Sequence, residues 1–118
     1  MTSDINKFME NIKNNSNLDN LGMVLIHNGI VRGISKEGKP ITGMTLDYND
    51  EKLNALKEKV KQLKFVESVE IIINKGKLKV GDDIMIVALA GNNRKQLLPL
   101  FEEIIEEIKQ NIVEEQEI

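Results

Sequence analysis

The stretch Asp83-Ile84-Met85-Ile86-Val87-Ala88-Leu89-Ala90-Gly91-Asn92-Asn93-Arg94 decides the fold. Residues 83–90 form a continuous apolar run of strand length, the pattern of a buried strand. Gly91-Asn92-Asn93 interrupts it and caps a long final helix over about 93–110. Pro99 falls inside that helix, where its ring opposes the carbonyl four residues earlier, so a kink is expected there, or a helix that begins in earnest after Leu98.

Upstream, Leu78-Lys79-Val80-Gly81 leads into the strand and Lys75-Gly76-Lys77 turns the chain back to a β-branched strand at 66–73. Residues 50–64 read as a helix capped by Asn49, with Leu53, Leu56, Val60 and Leu63 on its apolar face. A strand at 41–48 ends on Tyr48. Residues 33–40, with two glycines, two lysines and a proline, read as a mobile basic loop. Residues 22–32 read as a second buried strand, with Gly29 as a bulge or a close backbone approach. A polar loop, 14–17, separates it from an amphipathic helix at 3–14, capped by Ser3 and carrying Ile5, Phe8, Met9 and Ile12 at helical spacing. Residues 112–118 read as a short terminal strand anchored by Val113 and Ile118. This order gives one α+β domain over 1–118, with about three helices and a mixed or antiparallel sheet.

Composition narrows the chemistry. With 118 residues, 41% hydrophobic and 30% charged, the chain is globular and long enough for one core. Aromatics are 3%, so that core is built from Ile, Leu, Val and Met. The absence of cysteine excludes disulfides, thiolate metal sites and cysteine nucleophiles, and fits a reducing compartment. A net charge of −3 argues against nucleic acid, and no apolar run reaches membrane-spanning length. The N-terminal residues lack the apolar core of a signal peptide, so the expected location is the cytoplasm. Neither GxGxxG nor a Walker A loop is present. The single histidine, His27, cannot build a multi-histidine metal site and reads as a satisfied strand residue. Asp82 and Asp83 are adjacent, so a strand points them to opposite faces and they read as solvated turn acids. No metal or cofactor is expected.

Two segments place cations where buried strands end: Gly29-Ile30-Val31-Arg32, followed by Lys36 and Lys39, and Gly91-Asn92-Asn93-Arg94-Lys95. At the second, helix N-terminal N–H groups add to the positive charge. Arg32, Asn93, Arg94, Lys36, Lys39 and Lys95 are therefore candidates to bind an anionic substrate, with Arg32 and Arg94 expected to converge on one pocket.

Gly22-Met23-Val24-Leu25-Ile26-His27-Asn28-Gly29-Ile30-Val31-Arg32, Leu46-Asp47-Tyr48, Gly76-Lys77-Leu78-Lys79-Val80-Gly81-Asp82 and Asn93-Arg94 occur in an order and spacing that resemble the large-subunit (MoaE-like) family of molybdopterin synthase, over roughly residues 20–110. The resemblance implies an α/β hammerhead fold and a homodimer within a heterotetramer. It implies a small ubiquitin-like sulfur-carrier partner with a C-terminal Gly-Gly tail. It also implies sulfur transfer from that partner's thiocarboxylate to an anionic pterin precursor, cyclic pyranopterin monophosphate, in molybdenum or tungsten cofactor biosynthesis. Arg32 and Arg94 match the family's pocket arginines. Asn93 stands where the family has a histidine, and His27 where it has a phenylalanine. The family's catalytic lysines lie after the last helix, where 112–118 carries none. Lys36, Lys39 or Lys95 then substitute, or the chain is a non-catalytic binding module on the same fold that recognises a ubiquitin-like tail or a small anion.

Overall fold

The computed structural model describes residues 5–118, so the cap expected from Ser3 lies outside the described residues. Two three-stranded antiparallel sheets and three α-helices build the fold, in the order α1 (Ile5–Asn15), β1 (Met23–Ile30), β2 (Gly43–Tyr48), α2 (Asp50–Lys61), β3 (Val66–Ile73), β4 (Gly76–Lys79), β5 (Asp83–Gly91), α3 (Arg94–Glu107) and β6 (Val113–Glu117). The sheet orders are β1-β5-β3 and β4-β2-β6.

The apolar run of β5 is central in the first sheet and covered on both faces. Met85, Val87 and Leu89 belong to the main core with Leu53 and Val60 of α2 and Leu97 and Ile104 of α3. Ala88 and Ala90 face the other way, where α1 lays Ile12 and Phe8 against them. Their small side chains let that helix sit close. β1 pairs with β5 from Met23↔Gly91 to Ile30↔Asp83, and the register shifts between Gly29 and Ile30, the position read as a bulge.

Gly91 ends β5 for a steric reason. A Cβ there would collide with the Phe65 carbonyl oxygen and press on both Leu97 methyl groups, at 3.1 and 3.2 Å. The chain then enters α3 through Asn93, whose Oδ1 accepts from the Lys95 N–H (3.0 Å) and whose carbonyl accepts from the Leu97 N–H (2.9 Å). With the first turn secured in this way, the helix starts at Arg94 and continues through Pro99 rather than beginning after Leu98. It also ends earlier than expected. Ile108–Ile112 form a π turn, closed by the Val113 N–H on the Ile108 carbonyl, which keeps both isoleucines buried while redirecting the chain into β6. The last carbonyls of this turn find partners on the start of α2: Asn49 N–H donates to Ile112 O (3.0 Å) and Lys52 Nζ to Asn111 O (3.3 Å).

In the second sheet β2 alternates, with Met44 and Leu46 buried in the core and Thr45 and Asp47 outward. β6 is held on β2 by backbone bonds, extended past its end by Ile118 N–H to Gly43 O (2.9 Å) and Thr42 N–H to Ile118 O (2.8 Å). Val113 is half-buried, but Ile118 is 50% exposed and is no side-chain anchor. α2 stops at Lys61 rather than 64, which leaves Leu63 at the surface.

Candidate functional site

Arg32 follows Val31, a core residue 1% exposed, whose N–H donates to Asp82 O and whose carbonyl accepts from Gly81 N–H, both at 2.9 Å. The exposed arginine thus leaves a backbone pinned on both sides. Lys36 and Lys39 lie on the adjoining segment, the basic loop, which turns back on itself as a short hairpin. Ile34 bridges Pro40, and Ile41 N–H donates to Gly33 O (3.0 Å). Ser35, 8% exposed, ties the turn, its N–H donating to Lys39 O (2.8 Å) and its Oγ accepting from Lys39 N–H (3.1 Å). Gly38 takes the left-handed conformation (φ 83°) that the turn requires. Lys36 and Lys39 are exposed on this frame.

Asn93, Arg94 and Lys95 are exposed at the start of α3, beyond the other end of β5. The β1–β5 register therefore separates the six residues into two groups of three. β1 has eight residues, so at about 3.3 Å per residue its ends are roughly 25 Å apart. Arg32 lies past the end where Ile30 meets Asp83; Arg94 lies past the end where Met23 meets Gly91. Within one chain the two guanidinium groups do not converge, because both arginines follow the C-terminal ends of strands that run in opposite directions.

Between the two ends lies His27, which the sequence patterns did not relate to any cation. His27 is on β1, opposite Val87. Its Nε2 is buried and has no hydrogen-bond partner among the described residues. The strand read as satisfying this side chain does not do so. Burial, and then the nearby Lys109 ammonium, hold its pKa below the ordinary imidazole value of 6.5. Lys109 itself is exposed on the π turn. A signal for it was present: Phe101, Ile105 and Lys109 recur every four residues, so a lysine takes the position that helical phase gives to an apolar residue.

A separate groove of about 560 Å³ runs between α2 and the end of α3, floored by Leu56, Val60, Leu100 and Ile104, with Lys52 and Lys59 on one wall and Glu103 and Glu107 on the other. None of the six predicted residues lines it. Among the described residues no cluster of metal-ligating side chains occurs, and no helix is long and apolar enough to cross a membrane.

Comparison with known proteins gives the fold its context. The subunit 1 and 2 complex of molybdopterin-converting factor from Helicobacter pylori contains a chain that superposes with a TM-score of 0.74 at 24% identity, covering 97% of this chain and 77% of that one. Molybdopterin synthase from Staphylococcus aureus gives 0.75 at 21% identity, covering 93% and 82%. The molybdopterin biosynthesis MoaE protein from Burkholderia ambifaria gives 0.78 at 17% identity, covering 100% and 84%. A search of curated proteins finds no match. The family model described as MoaE protein matches residues 2–111, nearly the whole sequence, and the chain belongs to that family.

Proposed function

We propose that this chain is the large subunit of a molybdopterin synthase, transferring sulfur from a thiocarboxylated small subunit to cyclic pyranopterin monophosphate in molybdenum or tungsten cofactor biosynthesis. The observation that carries this reading is the family match over residues 2–111. The H. pylori relative is a complex of two different subunits, which supports a small partner, here one with a ubiquitin-like Gly-Gly tail. The setting proposed for this reaction is the cytoplasm.

The separation of the arginines supports a site shared by two copies. Among the described residues β1 is an edge strand, paired only with β5, and its other edge is open. Open edges template pairing with another strand. Antiparallel pairing of β1 with β1 of a second copy about a two-fold axis would bring the Arg32 end of each chain beside the Met23 end of the other, where Asn93 and Arg94 lie. The pocket would then combine Arg32, Lys36, Lys39 and Lys109 of one copy with Asn93, Arg94 and Lys95 of the partner subunit. Arginine pairs suit a phosphate, which accepts forked, charge-assisted hydrogen bonds. Lys109 supplies the lysine that residues 112–118 lack.

The acidic β6, with Glu114, Glu115 and Glu117, favours the second reading, a non-catalytic module that binds a ubiquitin-like tail or an anion, since carboxylates beside an anionic substrate repel it. Incubation with thiocarboxylated small subunit and precursor, scored for the dithiolene product, separates the two. Product formation that fails with Lys109→Ala and Arg32→Ala supports the synthase; tail binding without product supports the module. Mixing inactive Arg32→Ala with inactive Arg94→Ala should restore part of the activity if the site is shared, because some mixed dimers hold one intact pocket.

A further inference from the structure

We propose that Ser35 is a positioning residue of the proposed site. Its buried side chain fixes the turn 35–39, so that Lys36 and Lys39 stand free for an anion and Glu37, between them, does not neutralise them. The proposal rests on the reading that places Lys36 and Lys39 in the pocket.

Ser35 is the one buried polar residue among the described residues, in a segment that is otherwise exposed from Arg32 to Pro40. A hydroxyl gains little from burial unless it is bonded, so its bonds must account for its place. The Ser35 N–H donates to Lys39 O (2.8 Å), and Ser35 O accepts from the Gly38 N–H (2.9 Å). With that carbonyl engaged, it is Ser35 Oγ that accepts from the Lys39 N–H (3.1 Å). Both strands of the turn thus close on one residue. The base of the hairpin is held separately, by Ile41 N–H on Gly33 O (3.0 Å) and by Val31 on Gly81 and Asp82. Loss of Oγ therefore loosens the tip and leaves the base in place.

What the tip carries decides what that loosening does. Lys36, Glu37 and Lys39 are all exposed on it, and among the described residues none of them makes an ion pair. Opposite charges this near in sequence can pair, weakly, once the backbone lets their side chains approach. Such a pair would occupy a cation that the anion needs. A fixed turn keeps the lysines unpaired and also spares binding the cost of ordering the backbone that carries them. Ser35 acts on the anion through Lys36 and Lys39, without touching it.

The test measures sulfate binding by the full chain, beside the synthase assay. Ser35→Ala should weaken sulfate binding by about 3- to 10-fold, the worth of one hydrogen bond. In the assay it should raise KM for the precursor by a similar factor and leave kcat little changed, because the lysines hold the anion equally before and during reaction. Glu37→Gln separates positioning from stability alone. It should strengthen sulfate binding more in Ser35→Ala than in the parent chain, since only the loosened turn lets the carboxylate compete. Ser35→Cys, close in shape but a weaker acceptor, gives the same comparisons if Ser35→Ala does not fold. Unchanged sulfate affinity in the folded variant overturns the proposal. Equal effects of Glu37→Gln in the two backgrounds overturn it as well, as does failure of the parent chain to bind sulfate. If the parent forms product and the Ser35 variant has the same KM, only this proposal falls. If the variant loses sulfate affinity as expected but the parent forms no product, the synthase reading falls and the role of Ser35 at the anion site stands.

Discussion

β5 and β2 are each the middle strand of three antiparallel strands, yet they are written in different codes. β5 has helices on both faces, and Ile86, Val87, Leu89 and Ala90 are fully buried. β2 has the core on one face only, and its buried Met44 and Leu46 alternate with the exposed Thr45 and Asp47. The number of covered faces, rather than position in a sheet, sets the pattern. It also sets how much each strand contributes to stability.

The largest expected effect is at Leu89. Truncation to Ala in a site enclosed by α2 and α3 should cost roughly 2–5 kcal/mol, at the upper end because neither face can relax into the space. Leu46→Ala should fall at the lower end of the same range, since the second sheet has an open side toward which it can settle. Urea unfolding of both variants measures the difference, and an equal or larger loss at Leu46 would break the comparison. Gly91→Ala comes next. The added methyl meets the Phe65 backbone, which cannot swing aside as a side chain would, so a loss of about 1–3 kcal/mol is expected. A smaller effect, about 1 kcal/mol, should follow Asn49→Ala, which removes the 3.0 Å bond from the Lys52 N–H at the start of α2.

These differences explain what was legible in the sequence. Periodicity and breakers located five of the six described strands, the three helices and both asparagine caps, because those signals act within a few residues; β4, Gly76–Lys79, was read as a turn and a lead-in, since four residues with one buried side chain, Leu78, carry no period. The two-sided burial of β5 was legible for the same reason. The 33–41 hairpin was not, because Ser35, an ordinary polar residue in sequence, closes the turn through bonds that depend on its geometry. At Pro99 the sequence left two outcomes open, a kink or a start after Leu98; the second does not occur, because the Asn93 cap fixes the first turn at Arg94. Of the site, each cation was legible singly, but strand direction was not. Antiparallel pairing of β1 with β5 sends Arg32 and Arg94 to opposite ends, and only register reveals that. Lys109 and His27 lie 82 positions apart, and no local pattern relates the lysine to the ring whose pKa it lowers.

The smallest expected effect lies on the open face of the second sheet. Asp47 accepts from the Tyr48 N–H at 2.7 Å and faces Lys75, whose Nζ is 3.2 Å from its Oδ1. The Tyr48 N–H, first, and Lys75, second, hold its carboxyl below the ordinary value of 3.8. A carboxylate shifted downward contributes stability that is present above the unfolded value and is lost as pH falls through the folded one. Both partners are solvent-exposed, so water and salt screen the pair and its contribution to stability should be hard to detect. Lys75→Ala should therefore leave the unfolding midpoint unchanged at neutral pH. The Asp47 carboxyl, followed by carbon NMR, should rise only part of the way toward its ordinary value, because the larger influence is the neighbouring N–H and remains. A full return would make Lys75 the dominant partner. It would also mean that long-range pairing acts on the open face as it does in the enclosed sheet, erasing the contrast between the two.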